Sequence, residues 1–344
     1  LKKTLLALRI GKLKLTKFRI FICICLVYIV VLTITLTSFG LFESSDLDDL
    51  SDQGDENDQT DQSDENDLND QTDSRNEANS YTDVSLTNRA REIELEGEIR
   101  EILAGRLVNY TVYIKVLGED FEIGISEDEL FYPASIYKVP IAILVLKDIE
   151  DGRYTLQKQL AIKEENKFYA SDNLYYKENG TLLTVEELLW YMIHYSDNTA
   201  WDMLMDNLLG STKEIDVRIE EELGLENTQK APEFQTTAKE VGEAFEGIYN
   251  GEYLNKENSE YLLELLSDIT PPQNDKIPAG VPEGTRVAHK IGWWTGNYQD
   301  AGIVFGEECD YIIVILNRNT TVDQGRSDIV AISRATWEVL QGEE

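Results

Sequence analysis

The sequence predicts an α/β protein of the α+β type. An antiparallel sheet is built from N- and C-terminal strands and flanked by helices, an all-α lobe is inserted between its halves, and a single transmembrane helix precedes the whole. Three observations predict it. Strand-like runs cluster at 107–125 and again at 287–316, while helical periodicity governs the stretch between them. The strands do not alternate with helices, which argues against a doubly wound parallel sheet. The formal charge of −34 over 344 residues is so uneven that it divides the chain into three physically different pieces.

Residues 1–42 hold seven basic residues and no acid. Residues 1–19 form a basic cytoplasmic segment. Ile20 to Phe42 follows as 23 residues without a charge, and at about 1.5 Å per residue such a helix crosses a hydrocarbon layer of roughly 30 Å. With bases before the span and acids after it, the positive-inside rule gives a single-pass cell-membrane protein, its N-terminus cytoplasmic and its main domain extracytoplasmic. A cleaved signal peptide is the rival reading. The apolar run exceeds the usual ~7–15 residues of such a segment and lacks a clear small-x-small site, so an uncleaved anchor is expected. Residues 43–83 then carry sixteen acids against Arg75 alone. A nine-residue echo at Asp52-Gln53, Asp61-Gln62 and Asp70-Gln71 has only Gly54 to turn it, too few glycines for a calcium-binding repeat. Residues 43–85 are therefore expected to be a solvated, self-repelling linker reaching roughly 35–40 Å root-mean-square.

The remaining piece, 86–344, is the folded domain, with 155–285 as its all-α lobe. Asn88 to Arg106 reads as a helix, because Ile93, Leu95, Ile99, Ile102 and Leu103 recur among charged neighbours. Residues 107–118 and 121–125 read as two strands joined by a short Gly-Glu-Asp turn. An apolar helix is expected from about Ser135 to Ile149, with Pro140 tolerable in its first turns. In the lobe, Thr184 and Glu187 make a capping-box signature ahead of a helical apolar run. Residues 287–294, 300–306 and 310–316 read as the closing strands, and Asp328 to Leu340 as the last helix. A pI near 4.3 excludes a partner recognised through nucleic-acid phosphates. Cys309 is the only cysteine beyond the apolar span, which excludes an internal disulfide and a multi-thiolate zinc site in the domain. No metal or cofactor is called for: His194 and His289 are far apart, and neither G-x-S-x-G nor G-x-G-x-x-G occurs. His194 reads as packing or surface, and His289 as a neighbour able to support Lys290. Trp293 and Trp294 serve equally well as cleft lining or as packing.

Three short motifs carry chemistry. In Ser135-Ile136-Tyr137-Lys138 the hydroxyl and the amine lie one helical turn apart, and a serine becomes nucleophilic only when a base takes its proton. Ser196-Asp197-Asn198 sits between two helical runs, with a decoy at Ser171-Asp172-Asn173. His289-Lys290-Ile291-Gly292 puts a lysine in a strand, where burial is costly unless it meets an anion, beside a glycine that permits close approach to the backbone. Singly, each has a bland reading as a cap, a turn or a surface lysine.

In this order, the three resemble the signatures S-x-x-K, S-D-N and K-T-G of the penicillin-recognising serine hydrolases, most closely the class A β-lactamase family. The resemblance covers about 90–344, and the 61-residue step from Ser135 to Ser196 suits the family where the 36-residue step to Ser171 does not. It implies roles. Ser135 attacks an amide carbonyl and becomes acylated, with Lys138 as its base. Ser196 relays a proton to the leaving nitrogen, Asn198 holds Lys138 and the substrate amide, and Lys290 attracts the substrate carboxylate. Gly292 lets substrate approach the strand, and the backbone N–H groups of Ser135 and Trp293 form the oxyanion hole. The implied substrate is a β-lactam or a peptidoglycan peptide, handled by a monomeric domain.

Two departures stand out. Ile291 replaces the usual hydroxyl residue of the third motif, which predicts weaker recognition of ordinary penicillins. The E-x-x-L-N loop whose glutamate activates the deacylating water is missing between Asn198 and Lys290. Glu220 to Gly224 comes near in letters but reads as a helix end, and Glu233 is the remaining candidate for a deacylation base. Without such a base the acyl-enzyme forms and lingers. A peptidoglycan D,D-peptidase or penicillin-binding protein is the alternative within the same chemistry, and a non-catalytic cell-wall binding module is the alternative outside it.

Overall fold

The computed structural model describes residues 87–168, 173–268 and 274–342. The basic segment, the apolar span 20–42 and the acidic linker 43–85 all lie outside the described residues. Among the described residues no helix is long and apolar enough to cross a membrane.

One antiparallel sheet organises the domain. Its strands are β1 (Tyr110–Val116), β2 (Glu122–Ile125), β5 (Arg286–Trp294), β6 (Asn297–Phe305) and β7 (Asp310–Asn317), in the order β2-β1-β7-β6-β5. Both ends of the domain thus meet in the middle of the sheet, where Tyr110 pairs with Asn317 and Val116 with Tyr311. Side chains alternate across β7. Tyr311, Ile313 and Ile315 face the core formed with helix α1 (87–102) and helix α8 (Val322–Gln341), through Leu95, Ile99, Ile329 and Ile332. Ile312, Val314 and Leu316 face the opposite core, shared with the inserted lobe. This alternation is the period-two pattern of a sheet buried on both faces.

α2 (Lys138–Glu150) leads into the lobe, which contains α3 (Val185–His194), α4 (Asn198–Leu204), α5 (Thr212–Leu223), α6 (Ala238–Asn250) and α7 (Lys256–Ser267). α2 is almost wholly buried, consistent with its apolar run Val139 to Leu146. α3 begins in the expected capping box: Glu187 N–H donates to Thr184 Oγ1 at 3.1 Å, and Thr184 N–H donates to Glu187 Oε2 at 2.8 Å. α5 ends at Gly224, which takes the left-handed conformation at φ 73°, so Glu220 to Leu223 is indeed a helix end. α6 lies so close to the sheet that a Cβ on Gly242 would fall 2.5 Å from the ring of Tyr113.

Three expectations need correction. The lobe is not purely α: β3 (Gln159–Ala161) pairs with β4 (Leu182–Thr184), and three-residue strands are too short to show a period. Ser135 does not start the long helix but sits in a separate 3₁₀ turn, Ala134–Tyr137, with Lys138 opening α2. The last helix starts earlier than Asp328, at Val322 after the cap Thr321, because its polar first turns resemble a loop in sequence.

Candidate active site

The nucleophile turn is held under strain from behind and from the side. Ala134, immediately before Ser135, has φ 48°, a region that L residues seldom occupy and that costs on the order of 1–3 kcal/mol. Two contacts fasten this turn to the sheet. The fully buried Gln299 of β6 donates from Nε2 to Tyr132 O at 2.9 Å and to Asn317 O at 3.1 Å. Gly292 of β5 passes so close that an added Cβ would lie 2.9 Å from Pro133 O. That close approach explains the glycine of the third motif. It also lays β5, the edge strand of the sheet, alongside Ser135, so that the backbone of Trp293 continues along the same cleft.

The second motif forms the facing wall. Asp197 caps α4, its Oδ1 accepting from Ala200 N–H at 2.9 Å and its Oδ2 accepting from Leu174 N–H at 3.1 Å. Ser196, turned out by φ 58°, directs both its carbonyl and its hydroxyl at Lys138.

Lys138 is the hub. It is 3% exposed, and its Nζ lies 3.2 Å from Ser135 Oγ, 2.5 Å from Ser196 O, 3.2 Å from Ser196 Oγ and 2.7 Å from Asn198 Oδ1. Burial, reinforced by the charge of Lys290, pushes its pKa well below the ordinary lysine value, although Asp197 pulls the other way. A lysine of this kind can be neutral and accept the proton of Ser135.

Lys290 is fully buried on the lobe-facing side of β5, and its Nζ has no hydrogen-bond partner among the described residues. Burial pushes its pKa down to about 7, opposed by Asp300 and assisted by Lys276. An unpartnered buried ammonium next to a nucleophile is arranged to receive an anion. His289, the preceding residue, alternates to the other face of the strand. Its Nδ1 lies 2.8 Å from Asp300 Oδ1, and the same carboxylate accepts from Ile277 and Ala301 N–H. Any support it gives Lys290 therefore passes through the position of Asp300. His194 is buried and stacked on Trp190.

The structure thus gathers Ser135, Lys138, Ser196, Asn198 and Lys290 into one cluster, with Gly292 and Trp293 along its edge. Trp293 and Trp294 are 65% and 59% exposed, so neither is core packing. Glu233 is not brought in. Gln229 and Gln235 pair through both backbone hydrogen bonds, closing a short hairpin that leaves Glu233 exposed at its tip. Asp216 secures this hairpin by accepting from Lys230 and Ala231 N–H and from Tyr137 Oη. Ser171 and Asp172 of the decoy lie outside the described residues.

Sequence reasoning missed Gln299, Trp201 and Lys230. The Trp201 ring centroid lies 5.9 Å from Lys138 Nζ and 4.1 Å from Lys230 Nζ. Trp201 had a usable signal, one helical turn after Asn198, whereas Gln299 had none, its carbonyl partner Tyr132 being 167 residues away.

A model of the Beta-lactamase enzyme family matches residues 94–340. The chain belongs to that family. It is a β-lactamase-like serine hydrolase, and its relatives agree. It is 24% identical over 221 residues to Beta-lactamase VEB-1 of Pseudomonas aeruginosa, covering 60% of this chain and 73% of that protein. It is 25% identical over 297 residues to a Beta-lactamase of Bacteroides uniformis, covering 76% and 96%. Among solved structures, PBP-A superposes with a TM-score of 0.67 at 25% identity, covering 71% of this chain and 95% of that one. A point mutant of PBP-A, solved as an acyl-enzyme complex with penicillin-G, gives 0.66 at 27% identity, covering 72% and 96%. In this member of the β-lactamase family the three motifs occupy one cleft, between the sheet edge and the lobe.

Proposed function

We propose that this family member is a membrane-anchored, extracytoplasmic enzyme that β-lactams or peptide-like amides acylate at Ser135, and that it deacylates slowly. One observation carries the reading: a buried lysine amine 3.2 Å from the Ser135 hydroxyl, held by Ser196 and Asn198 and flanked by a second buried lysine. Pure binding has no need of such a base.

In the proposed sequence Lys138 takes the Ser135 proton as Oγ attacks the carbonyl. Ser196, hydrogen-bonded to the same amine, passes a proton to the leaving nitrogen. Lys290 receives the substrate carboxylate, and the backbone N–H groups of Ser135 and Trp293 stabilise the oxyanion. Slow deacylation is supported by the hairpin 229–235, which keeps Glu233 exposed and offers no carboxylate to Ser135 or Lys138 among the described residues. The apolar span and the acidic linker support placement of the domain outside the membrane, on a tether.

Intact-mass measurement of the full chain with benzylpenicillin, beside Ser135→Ala, tests the proposal. The expected result is an adduct that requires Ser135 and persists for hours. Decay within seconds would overturn slow deacylation, and no adduct would overturn β-lactam acylation. The exposure of Glu233 on the hairpin favours a second reading, a peptidoglycan D,D-peptidase. Release of D-alanine from a D-alanyl-D-alanine peptide is its signature.

A further inference from the structure

Trp201 stands against the catalytic lysine, yet the reaction sequence above gives it no part. It follows Asn198 by three residues on α4, so the two project from the same face of that helix. Asn198 Oδ1 accepts from Lys138 Nζ at 2.7 Å, and the Trp201 ring centroid lies 5.9 Å from the same amine. Lys138 is only 3% exposed. Oxygens of Ser135, Ser196 and Asn198 meet its amine, and the indole stands beside them.

The same indole reaches the hairpin 229–235. Lys230 Nζ lies 4.1 Å from the ring centroid, and Asp216 fixes the Lys230 backbone by accepting its N–H at 2.8 Å. The hairpin is itself packed on the nucleophile turn. The Phe234 ring stands edge-on to Tyr132 and Tyr137, at 5.0 and 4.9 Å between centroids, and Tyr137 Oη donates to Asp216 at 2.9 Å. Trp201 therefore fills the room between the Ser135–Lys138 pair and a hairpin whose own carboxylate, Glu233, is exposed. Packing holds the ring there, since its Nε1 is buried and has no hydrogen-bond partner among the described residues.

We infer that Trp201 is a positioning residue that keeps water away from the acyl-enzyme and so sets how long the acyl group stays on Ser135. The inference rests on the slow deacylation proposed above and gives it a cause. Hydrolysis needs a water beside the ester with a base in reach, and Lys138 is the base this cleft holds. An apolar ring against that amine denies the water its space. In Trp201→Ala a volume several times the roughly 30 Å³ of one water opens beside Lys138 Nζ and Lys230 Nζ, a setting polar enough to be wet. Deacylation can then run on the residues present. The water oxygen attacks the ester carbon and gives its proton to Lys138; the carbon–Oγ bond breaks, and Oγ takes that proton back, freeing the acid and Ser135.

The test acylates the full chain in detergent with benzylpenicillin, removes excess ligand and follows the adduct by intact mass, in the parent, Trp201→Ala and Trp201→Leu. The parent adduct should last for hours. In Trp201→Ala it should decay about a hundredfold faster, the ordinary worth of a positioned base that regains its water. Trp201→Leu opens less room and should decay at a rate between the two, and it keeps the test open should the alanine variant not fold. Acylation, measured by stopped flow at each variant's own pH optimum, should stay near the parent's rate, a split that a merely structural defect would not produce. Adducts as persistent in the variants as in the parent would overturn this inference alone, and so would faster decay matched by an equal loss of acylation. A parent adduct that never forms, or is lost within seconds, would overturn the proposed function and this inference with it.

Discussion

Lys290 should set the upper pH limit of acylation by carboxylate-bearing β-lactams. Its amine is buried, unpartnered among the described residues, and pushed down to about 7 by desolvation. Below that pH it is charged and attracts the substrate carboxylate; above it the neutral amine offers no such attraction. Because kcat/KM follows ionisations of the free enzyme, acylation should fall along a limb centred near 7. The charged fraction drops from about one half at pH 7 to about one hundredth at pH 9, a loss of roughly fiftyfold. Stopped-flow acylation by benzylpenicillin between pH 6 and pH 9 measures this directly. In Lys290→Arg the side chain stays charged throughout, so the limb should disappear even if the absolute rate is lower. A flat profile in the parent, or a limb unchanged in Lys290→Arg, would refute the assignment of Lys290 as the carboxylate receptor.

Three other substitutions have defined outcomes. Ile291→Thr adds a hydroxyl next to Lys290 and should raise kcat/KM for benzylpenicillin about tenfold or more, the worth of a hydrogen bond to a charge; an unchanged value would remove Ile291 as the cause of weak recognition. Gly292→Ala places a methyl 2.9 Å from Pro133 O and 2.8 Å from Gln299 Oε1. Pushing β5 off the nucleophile turn should slow acylation about a hundredfold with the fold retained by circular dichroism. Gln299→Leu strips the donor from Tyr132 O and Asn317 O, and should lower stability in urea by about 1–3 kcal/mol for each buried carbonyl left unpaired.

The parts of this site legible in the sequence are those whose chemistry is local. Ser135 and Lys138 are three residues apart, Ser196 and Asn198 frame a helix cap, and Lys290 with Gly292 stands out in an apolar strand. Their order made the family visible, and the clustering of strands at both ends gave the sheet. Contacts that exist only after folding were not legible. Gln299 reads as one polar residue in a strand, and nothing nearby reveals that it ties Tyr132 to Asn317. Lys230 reads as a loop charge until the hairpin brings it over Trp201. The exposure of Glu233 likewise follows from the pairing of Gln229 with Gln235, which letters alone do not encode.

The pairing of β1 with β7 has a consequence for biogenesis. Tyr110 must wait for Asn317, 207 residues later, before the central ladder can close. Since the nucleophile turn is braced by β5 and β6, Ser135 acquires its setting only when the last strands arrive. Pairings so distant in sequence are slow to form, because the loop must close before any contact rewards it. A nascent chain emerging N-terminus first therefore carries its serine and lysine long before they can react. Any protection against premature acylation is built into the order of synthesis.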